Sequence, residues 1–117
     1  MAEMKEIDYI EKLFALWPTE GETSAEAVAL VDEAVRAYPD SAKLSCMRGD
    51  LIQLGSADIS YSLEDALACY ERAISIDPNF AEGHEGIGHF YDAVMPNPSR
   101  DRSAFRQAAM IRQGQNV

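Results

Sequence analysis

The 117-residue chain contains 20 acidic and 10 basic residues, giving a formal net charge of −10 at pH 7, and 47% of its residues are hydrophobic. This composition is typical of a globular protein, and we predict a single domain spanning residues 1–117. Nucleic-acid binding depends on clustered Lys and Arg, so the acidic balance argues against a nucleic-acid partner. No stretch approaches the roughly 18 consecutive apolar residues of a membrane span. The start of the chain also lacks the basic and apolar segments of a signal peptide, so we predict a cytoplasmic protein without membrane contact.

Apolar residues with helical spacing predict six helices and no strand. The first helix covers about residues 3–16. Thr23 and Glu26 have the spacing of a capping box, which predicts that the second helix begins there. That helix stops before Pro39, because a proline ring cannot continue the helical hydrogen-bond ladder.

The next two helices are predicted by the same signals. Asp40 or Ser41 caps the third helix, and Gly55 ends it. Ser62 and Asp65 form a second capping box, from which the fourth helix runs through Ile76.

The last two helices are separated by a proline-rich break. Asn79 is predicted to cap the fifth helix, which runs to about Val94. Ser99 or Asp101 caps the sixth helix, which frays at Gly114.

A spaced signature of small and apolar residues ending in proline occurs twice. Small residues let helix backbones approach closely, and each proline turns the chain toward the next helix pair. The matching positions predicted to hold repeat packing are Ala27, Val31, Ala34, Pro39 and Gly49 in one copy, and Ala66, Tyr70, Ala73, Pro78, Gly88 and Tyr91 in or beside the other.

This signature resembles the tetratricopeptide repeat (TPR), and the segment Leu63–Tyr91 is close to the family pattern throughout. The resemblance implies an all-α fold, namely an α-solenoid of about six antiparallel helices that form three TPR-like pairs. The pairs are expected at about residues 3–38, 40–77 and 79–113. Arg48 departs from the pattern, which has an apolar residue there.

The first and third pairs match the family less closely. In the first helix, Phe14 and Ala15 occupy the family's large and small packing positions. In the last helix, we assign the inward positions to Ala104, Ala108 and Ile111.

Proteins of this family serve as adaptors and scaffolds, so the resemblance implies a protein-binding module without catalysis or a cofactor. Its ligand would be a peptide or helix segment lying in a concave groove formed by the first helix of each pair. Acidic residues predominate toward the end of the groove, which favours a basic or amphipathic ligand. The positions implied to face the groove are Tyr9, Lys12, Leu16, Lys43, Cys46, Asp50, Gln53, Glu82, Glu85, His89 and Asp92.

Self-assembly is the main alternative function. Phe105, Met110 and Ile111 offer more apolar surface than one neighbouring helix covers, which suggests a homodimer or another homo-oligomer formed through terminal helices. Residues 99–117 contain four arginines and one aspartate, a net charge of +3. This basic segment is expected to pair with an acidic surface, either its own or a neighbour's.

Metal binding is a weaker alternative. Glu85, His89 and Asp92 lie at i, i+4 and i+7 on one predicted helix face, where they could coordinate a hard divalent cation. His84 and His89 are five residues apart, whereas the zinc-protease motif requires two histidines at i and i+4. The sequence contains no nucleophile elbow and no phosphate-binding glycine loop, so we predict that the protein is not an enzyme.

Overall fold

The computed structural model describes residues 4–55 and 60–115. Over these ranges all of the regular secondary structure is helical and there is no strand, which confirms the all-α prediction. Consecutive helices pack against each other, and the third also contacts the fifth. In chain order the elements are α1 (Glu6–Ala15), α2 (Ala25–Ala37), α3 (Ala42–Gln53), α4 (Leu63–Ile76), α5 (Ala81–His89), a π-helical turn (Phe90–Val94) and α6 (Pro98–Gln115).

The contacts between α3 and α4 run in opposite directions along the two helices. Ser45 Oγ donates a hydrogen bond to the carbonyl of Cys69 at 2.7 Å, and Gly49, one turn later, lies against Ala66 and Tyr70. Later residues of α3 therefore meet earlier residues of α4, which is the contact order of an antiparallel pair.

Two helices end in the same way, each followed by a proline. The N–H of Tyr38 donates to the carbonyl of Ala34 at 2.9 Å, and the N–H of Asp77 donates to the carbonyl of Ala73 at the same distance. One residue later come Pro39 and Pro78, both exposed. The two copies of the sequence signature thus have equivalent local structures.

The start of α2 differs from the prediction. Ser24 is the N-cap, because its side chain accepts from the N–H of Ala27 at 3.1 Å. Thr23 is buried instead; its hydroxyl donates to the carbonyl of Leu51 at 2.8 Å, and its N–H donates to the carbonyl of Leu54 at 3.1 Å. Thr23 therefore satisfies carbonyls at the end of α3, which would otherwise lack helical partners.

The caps of α3 and α4 match their sequence signals. Of the two candidates for α3, Ser41 is the cap, and its hydroxyl accepts from the N–H of Leu44 at 3.1 Å. Ser62 and Asp65 form the predicted capping box at the start of α4.

The prediction that Asn79 caps α5 is wrong, because its side chain makes no cap and the helix begins at Ala81, after Phe80. The N–H of Asn79 instead donates to the Asp77 carboxylate at 3.0 Å. This bond forms an Asx turn across Pro78.

The cap of α6 also lies earlier than predicted. The side chain of Asn97 accepts from the N–H of Arg100 at 3.3 Å, and Pro98 occupies the first helical position, where its missing N–H costs nothing. Ser99 and Asp101, the predicted caps, lie inside the helix.

No sequence signal predicted the π-helical turn that extends α5. The N–H of Met95 donates to the carbonyl of Phe90 at 3.0 Å, five residues back, and the N–H of Asn97 donates to that of Tyr91 at 2.7 Å. A π-turn accommodates an extra residue within a helix. Here it carries α5 toward the break before α6.

The interior is built on small side chains. The predicted packing residues other than the two prolines are all buried, and Tyr70 is the largest fully buried side chain among them. A Cβ added at Gly49 would lie 2.9 Å from the ring of Tyr70, and one added at Gly86 would lie 2.3 Å from it. The ring of Tyr70 therefore fits between α3 and α5 only because both positions are glycines.

An equivalent ring contact occurs between α5 and α6. A Cβ added at Gly88 would lie 2.7 Å from the ring of Phe105, so Phe105 has the role in α6 that Tyr70 has in α4. The three residues assigned inward from the sequence, Ala104, Ala108 and Ile111, are buried as well.

Candidate functional site

The candidate binding surface is formed by α3 and α5, which contact each other. The charges of Lys43, His89 and Glu82 all act on the carboxyl of Asp50. The structure thus brings predicted groove residues of both helices together. We call Lys43, Cys46 and Asp50 of α3, with Glu82, Glu85 and His89 of α5, the groove row.

Cys46 forms part of the floor of this surface. Its side chain is only 4% exposed. Burial, with a smaller contribution from the nearby carboxylate of Asp50, raises the pKa of its thiol to about 12. The thiol is therefore neutral and unreactive at physiological pH, and a partner would meet its neighbours rather than Cys46 itself.

Asp50 is held in place from beneath by Tyr70. The buried ring of Tyr70 crosses between the helices, and its hydroxyl donates to the Asp50 carboxylate at 2.5 Å. Asp50 keeps part of its surface exposed. Desolvation by the surrounding protein raises the pKa of its carboxyl, although this hydrogen bond opposes the shift. Desolvation and the Asp50 charge also raise the pKa of Tyr70, so the phenol remains the donor.

The raised pKa of Asp50 predicts a pH-dependent stability. The folded state binds this proton more tightly than the unfolded chain, so the free energy of unfolding should fall as pH rises above the ordinary value of 3.8. Asp50→Asn removes this titration but keeps an acceptor for Tyr70. Urea unfolding at stepped pH should therefore show the variant gaining stability relative to the native chain as pH rises from 3.8 through the raised pKa of Asp50.

Asp92→Asn, at an exposed position of α5's π-helical extension, is the matched control for this measurement. If the stability of Asp50→Asn relative to the native chain changes with pH no more than that of Asp92→Asn, the account of Asp50 is wrong.

The residues predicted to face the groove from α1 are placed differently from expectation. Tyr9 is 6% exposed and packs edge-on against the ring of Tyr38, with centroids 6.1 Å apart. Leu13 is completely buried, whereas Phe14, which we had assigned to the packing position, is 56% exposed. The packing face of α1 therefore lies one residue earlier than the family pattern implied.

Phe14 instead borders the groove row. The ammonium of Lys43 lies 5.9 Å from the centre of its ring, and the ring centres of Phe14 and Trp17 are 6.1 Å apart. Of the other predicted α1 residues, Lys12 is exposed and Leu16 is half-buried against the core. The α1 side of the surface is thus aromatic and carries a cation.

The α5 side of the surface is acidic and contacts α6. The Arg112 guanidinium hydrogen-bonds to Glu85, with one Nε contact of 3.1 Å, and lies 3.5 Å from Glu82. His89 packs edge-on against Phe105, with ring centres 5.1 Å apart. The predicted pairing of the basic last helix with an acidic surface is therefore made within the chain by Arg112.

The remaining predicted site residues are at the ends of the row. Asp92 is exposed and Gln53 is half-buried. The side-chain Nε2 of Gln53 is buried without a hydrogen-bond partner in the part of the chain that the structure describes.

The three predicted self-association residues are mostly engaged inside the fold. Ile111 is 9% exposed, and Phe105 is half-buried against Gly88 and His89. Met110 is 58% exposed. Of the apolar surface predicted for self-assembly, Met110 is therefore the part that faces outward.

The structure does not gather the three residues considered as metal ligands. Glu85 is already paired with Arg112. Within residues 4–55 and 60–115, no group of three or more His, Cys, Asp or Glu side chains is placed to hold a metal ion.

Arg48, the departure from the repeat pattern, is held by a polar cluster on the other side of α3. Its Nε donates to Asp32 at 2.9 Å, and its Nη1 lies 3.0 Å from the sulfur of Cys69. Its guanidinium stacks over the ring of Tyr61, 4.7 Å from the centre, and the Tyr61 hydroxyl donates to Asp32 at 2.5 Å. The cluster therefore attaches the connector before α4 to α2 and α3, a role that no sequence signal indicated.

A comparison with protein families identifies one part of this architecture. Residues 62–92 match the family model of the TPR repeat. The match covers α4 and α5 and confirms the resemblance over the segment that carries it. This TPR segment supplies Tyr70, Gly86 and most of the acidic side of the groove row.

No curated protein and no solved structure matches the chain significantly. Among the described residues, no helix is both long and apolar enough to span a membrane.

Proposed function

We propose that this protein is a non-catalytic interaction module that binds a basic or amphipathic segment of a partner protein across the groove row. The TPR match at residues 62–92 supports a protein-binding role. The observation that carries the proposal is the gathering of Asp50, Glu82 and Glu85 on adjacent helices. These are charges that a partner's Lys or Arg would complement.

Two features support an amphipathic ligand. Arg112 pairs with Glu82 and Glu85 within the chain, so part of their negative charge is already balanced and charge alone would not hold the ligand. Phe14, exposed at the α1 side, offers apolar contact next to the charged row. A net charge of −10 would also draw a basic segment toward the protein over long range and raise its association rate.

The test is affinity capture from native cell extract with a charge-reversed variant, Asp50→Lys with Glu85→Lys. We expect the variant to lose the captured partner, because two carboxylates of the row become repulsive to a cation. The matched control is Glu33→Lys with Glu71→Lys, which makes the same change of charge at exposed positions on α2 and α4.

Bound proteins are identified by mass spectrometry, and circular dichroism verifies that all variants are folded. Loss of the partner from both variants would mean that overall charge, not the groove row, governs binding. Retention by both would contradict the proposed site.

A further inference from the structure

We propose a second binding site, for a phosphoryl group, in the pocket between α2, α3 and α4, flanked by Arg48 and Arg72. The pocket has a volume of about 260 Å³. This is below the roughly 300–1,000 Å³ of sites for drug-sized ligands, so it suits a small group. Its lining includes Ser41, Ser45, Arg48, Cys69 and Arg72.

The lining of this pocket differs in charge from the rest of the protein. None of its nine lining residues is a carboxylate, although acidic residues outnumber basic ones 20 to 10 in the chain. The nearby Asp32 and Asp40 each pair with one of its two arginines. Two guanidiniums, from α3 and α4, belong to the same lining. Arginine presents several N–H donors in a planar fork that matches phosphate oxygens.

The pocket lies on the far side of α3 from the groove row. A helix turns roughly 100° per residue, which places Ser41, Ser45 and Arg48 almost opposite Lys43 and Asp50. The two surfaces are therefore independent, and this site goes beyond the proposed groove function.

The two arginines have complementary roles. Arg48 is fixed, because Asp32 binds its Nε at 2.9 Å and the Cys69 sulfur binds its Nη1. Further N–H groups of its guanidinium remain for a ligand. Arg72 is more adjustable, since its side chain is 55% exposed and its Nη2 lies 3.7 Å from the 93% exposed Asp40. That Nη2 also donates one hydrogen bond of 3.2 Å to the carbonyl of Pro39.

Such an exposed ion pair contributes little, so an incoming phosphate can replace Asp40 at low cost. The hydroxyls of Ser41 and Ser45 already donate to Glu6 and to the Cys69 carbonyl. The arginines therefore supply the donors for the ligand.

The experiment is an NMR titration of the full chain with inorganic phosphate, at an ionic strength held constant with sodium chloride. We expect saturable shifts of pocket amides. Arg72→Gln should weaken binding about ten-fold, the effect of losing a charge-assisted hydrogen bond. Arg36→Gln, an exposed α2 position outside the lining, should bind as the native chain does.

Arg72→Lys keeps the charge without the fork and should give intermediate affinity. Asp50→Lys with Glu85→Lys should leave phosphate binding intact, whatever becomes of the groove proposal. The phosphate site is refuted if chloride alone reproduces the shifts, or if Arg72→Gln and native protein titrate alike.

A phosphoserine peptide and its unphosphorylated twin distinguish the source of the phosphoryl group. Tighter binding of the phosphopeptide than of free phosphate, with no binding of its twin, assigns the site to a phosphorylated partner. Saturation by free phosphate alone assigns it to a small phosphate ligand.

Discussion

Replacing Gly86 with alanine is expected to lower the free energy of unfolding by up to about 2 kcal/mol. The added Cβ would lie 2.3 Å from a ring carbon of Tyr70, which is buried and cannot withdraw. Overpacking of this kind costs about 1–3 kcal/mol, occasionally more, and opposes the roughly 1 kcal/mol that alanine gains over glycine in a helix. Urea unfolding followed by circular dichroism measures the difference.

Two controls separate the ring contact from helix propensity. Gly114→Ala in α6 has no atom within 4 Å of the new Cβ, so it should be neutral or stabilising. In a Tyr70→Val background, where the ring is absent, Gly86→Ala should no longer destabilise. If it costs as much there as in the native chain, Tyr70 is not the cause.

Asp32→Ala should lower the free energy of unfolding by about 2 kcal/mol. This is between the 0.2–1 kcal/mol of exposed ion pairs and the 3–5 kcal/mol of breaking buried ones. The side chains of Arg48 and Asp32 are 25% and 18% exposed, so the variant leaves a half-buried cation without its carboxylate. It also removes the acceptor for the Tyr61 hydroxyl.

The double variant Asp32→Ala with Arg48→Ile should be more stable than Asp32→Ala alone. Isoleucine removes the unpaired cation, and Ile87 occupies the position 39 residues later in the repeat. Chemical unfolding of the two single variants and the double variant gives the coupling energy. Additive losses would show that Arg48 and Asp32 do not stabilise each other.

The second half of the fold was predictable because its contacts depend on spacing. Small residues such as Ala66 and Ala73 are needed wherever helices approach closely, and Pro78 is needed wherever the helix must end. Both requirements leave a pattern in the sequence. The all-helical fold and the cap of α4 follow from such local signals.

Other features depended on long-range contacts that leave no such pattern. Thr23 and Ser24 are both good caps, and the choice between them is made by carbonyls at the end of α3. Phe14 and Leu13 are adjacent and similar in hydrophobicity, so the pattern did not determine which one is buried. Arg48 is tolerated in a packing position because Asp32 and Tyr61 bind its guanidinium, and both lie far from it in the sequence.

The candidate site was predictable in part for the same reason. The positions on α5 were carried over from the part of the chain closest to the repeat pattern, and those on α3 from a copy that departs from it at Arg48; α3 and α5 contact each other. Those on α1 were carried over from a degenerate copy, and Tyr9 proved to be buried. Nothing in the sequence indicated that Tyr70 would reach Asp50 from α4.

The glycines of α5 also restrict which helix pair can pack after which. With the same 39-residue offset, Tyr70 and Gly86 correspond to Val31 and Met47, which lie in the same core cluster. In the first half of the chain a medium side chain, Val31, faces a large one, Met47. In the second half a large ring, Tyr70, faces a glycine, Gly86. Exchanging the partners would press Tyr70 against Met47 and leave a void between Val31 and Gly86. The repeats are therefore not interchangeable modules: a second copy of residues 40–77 placed after the first would set Tyr70 against Met47 instead of Gly86.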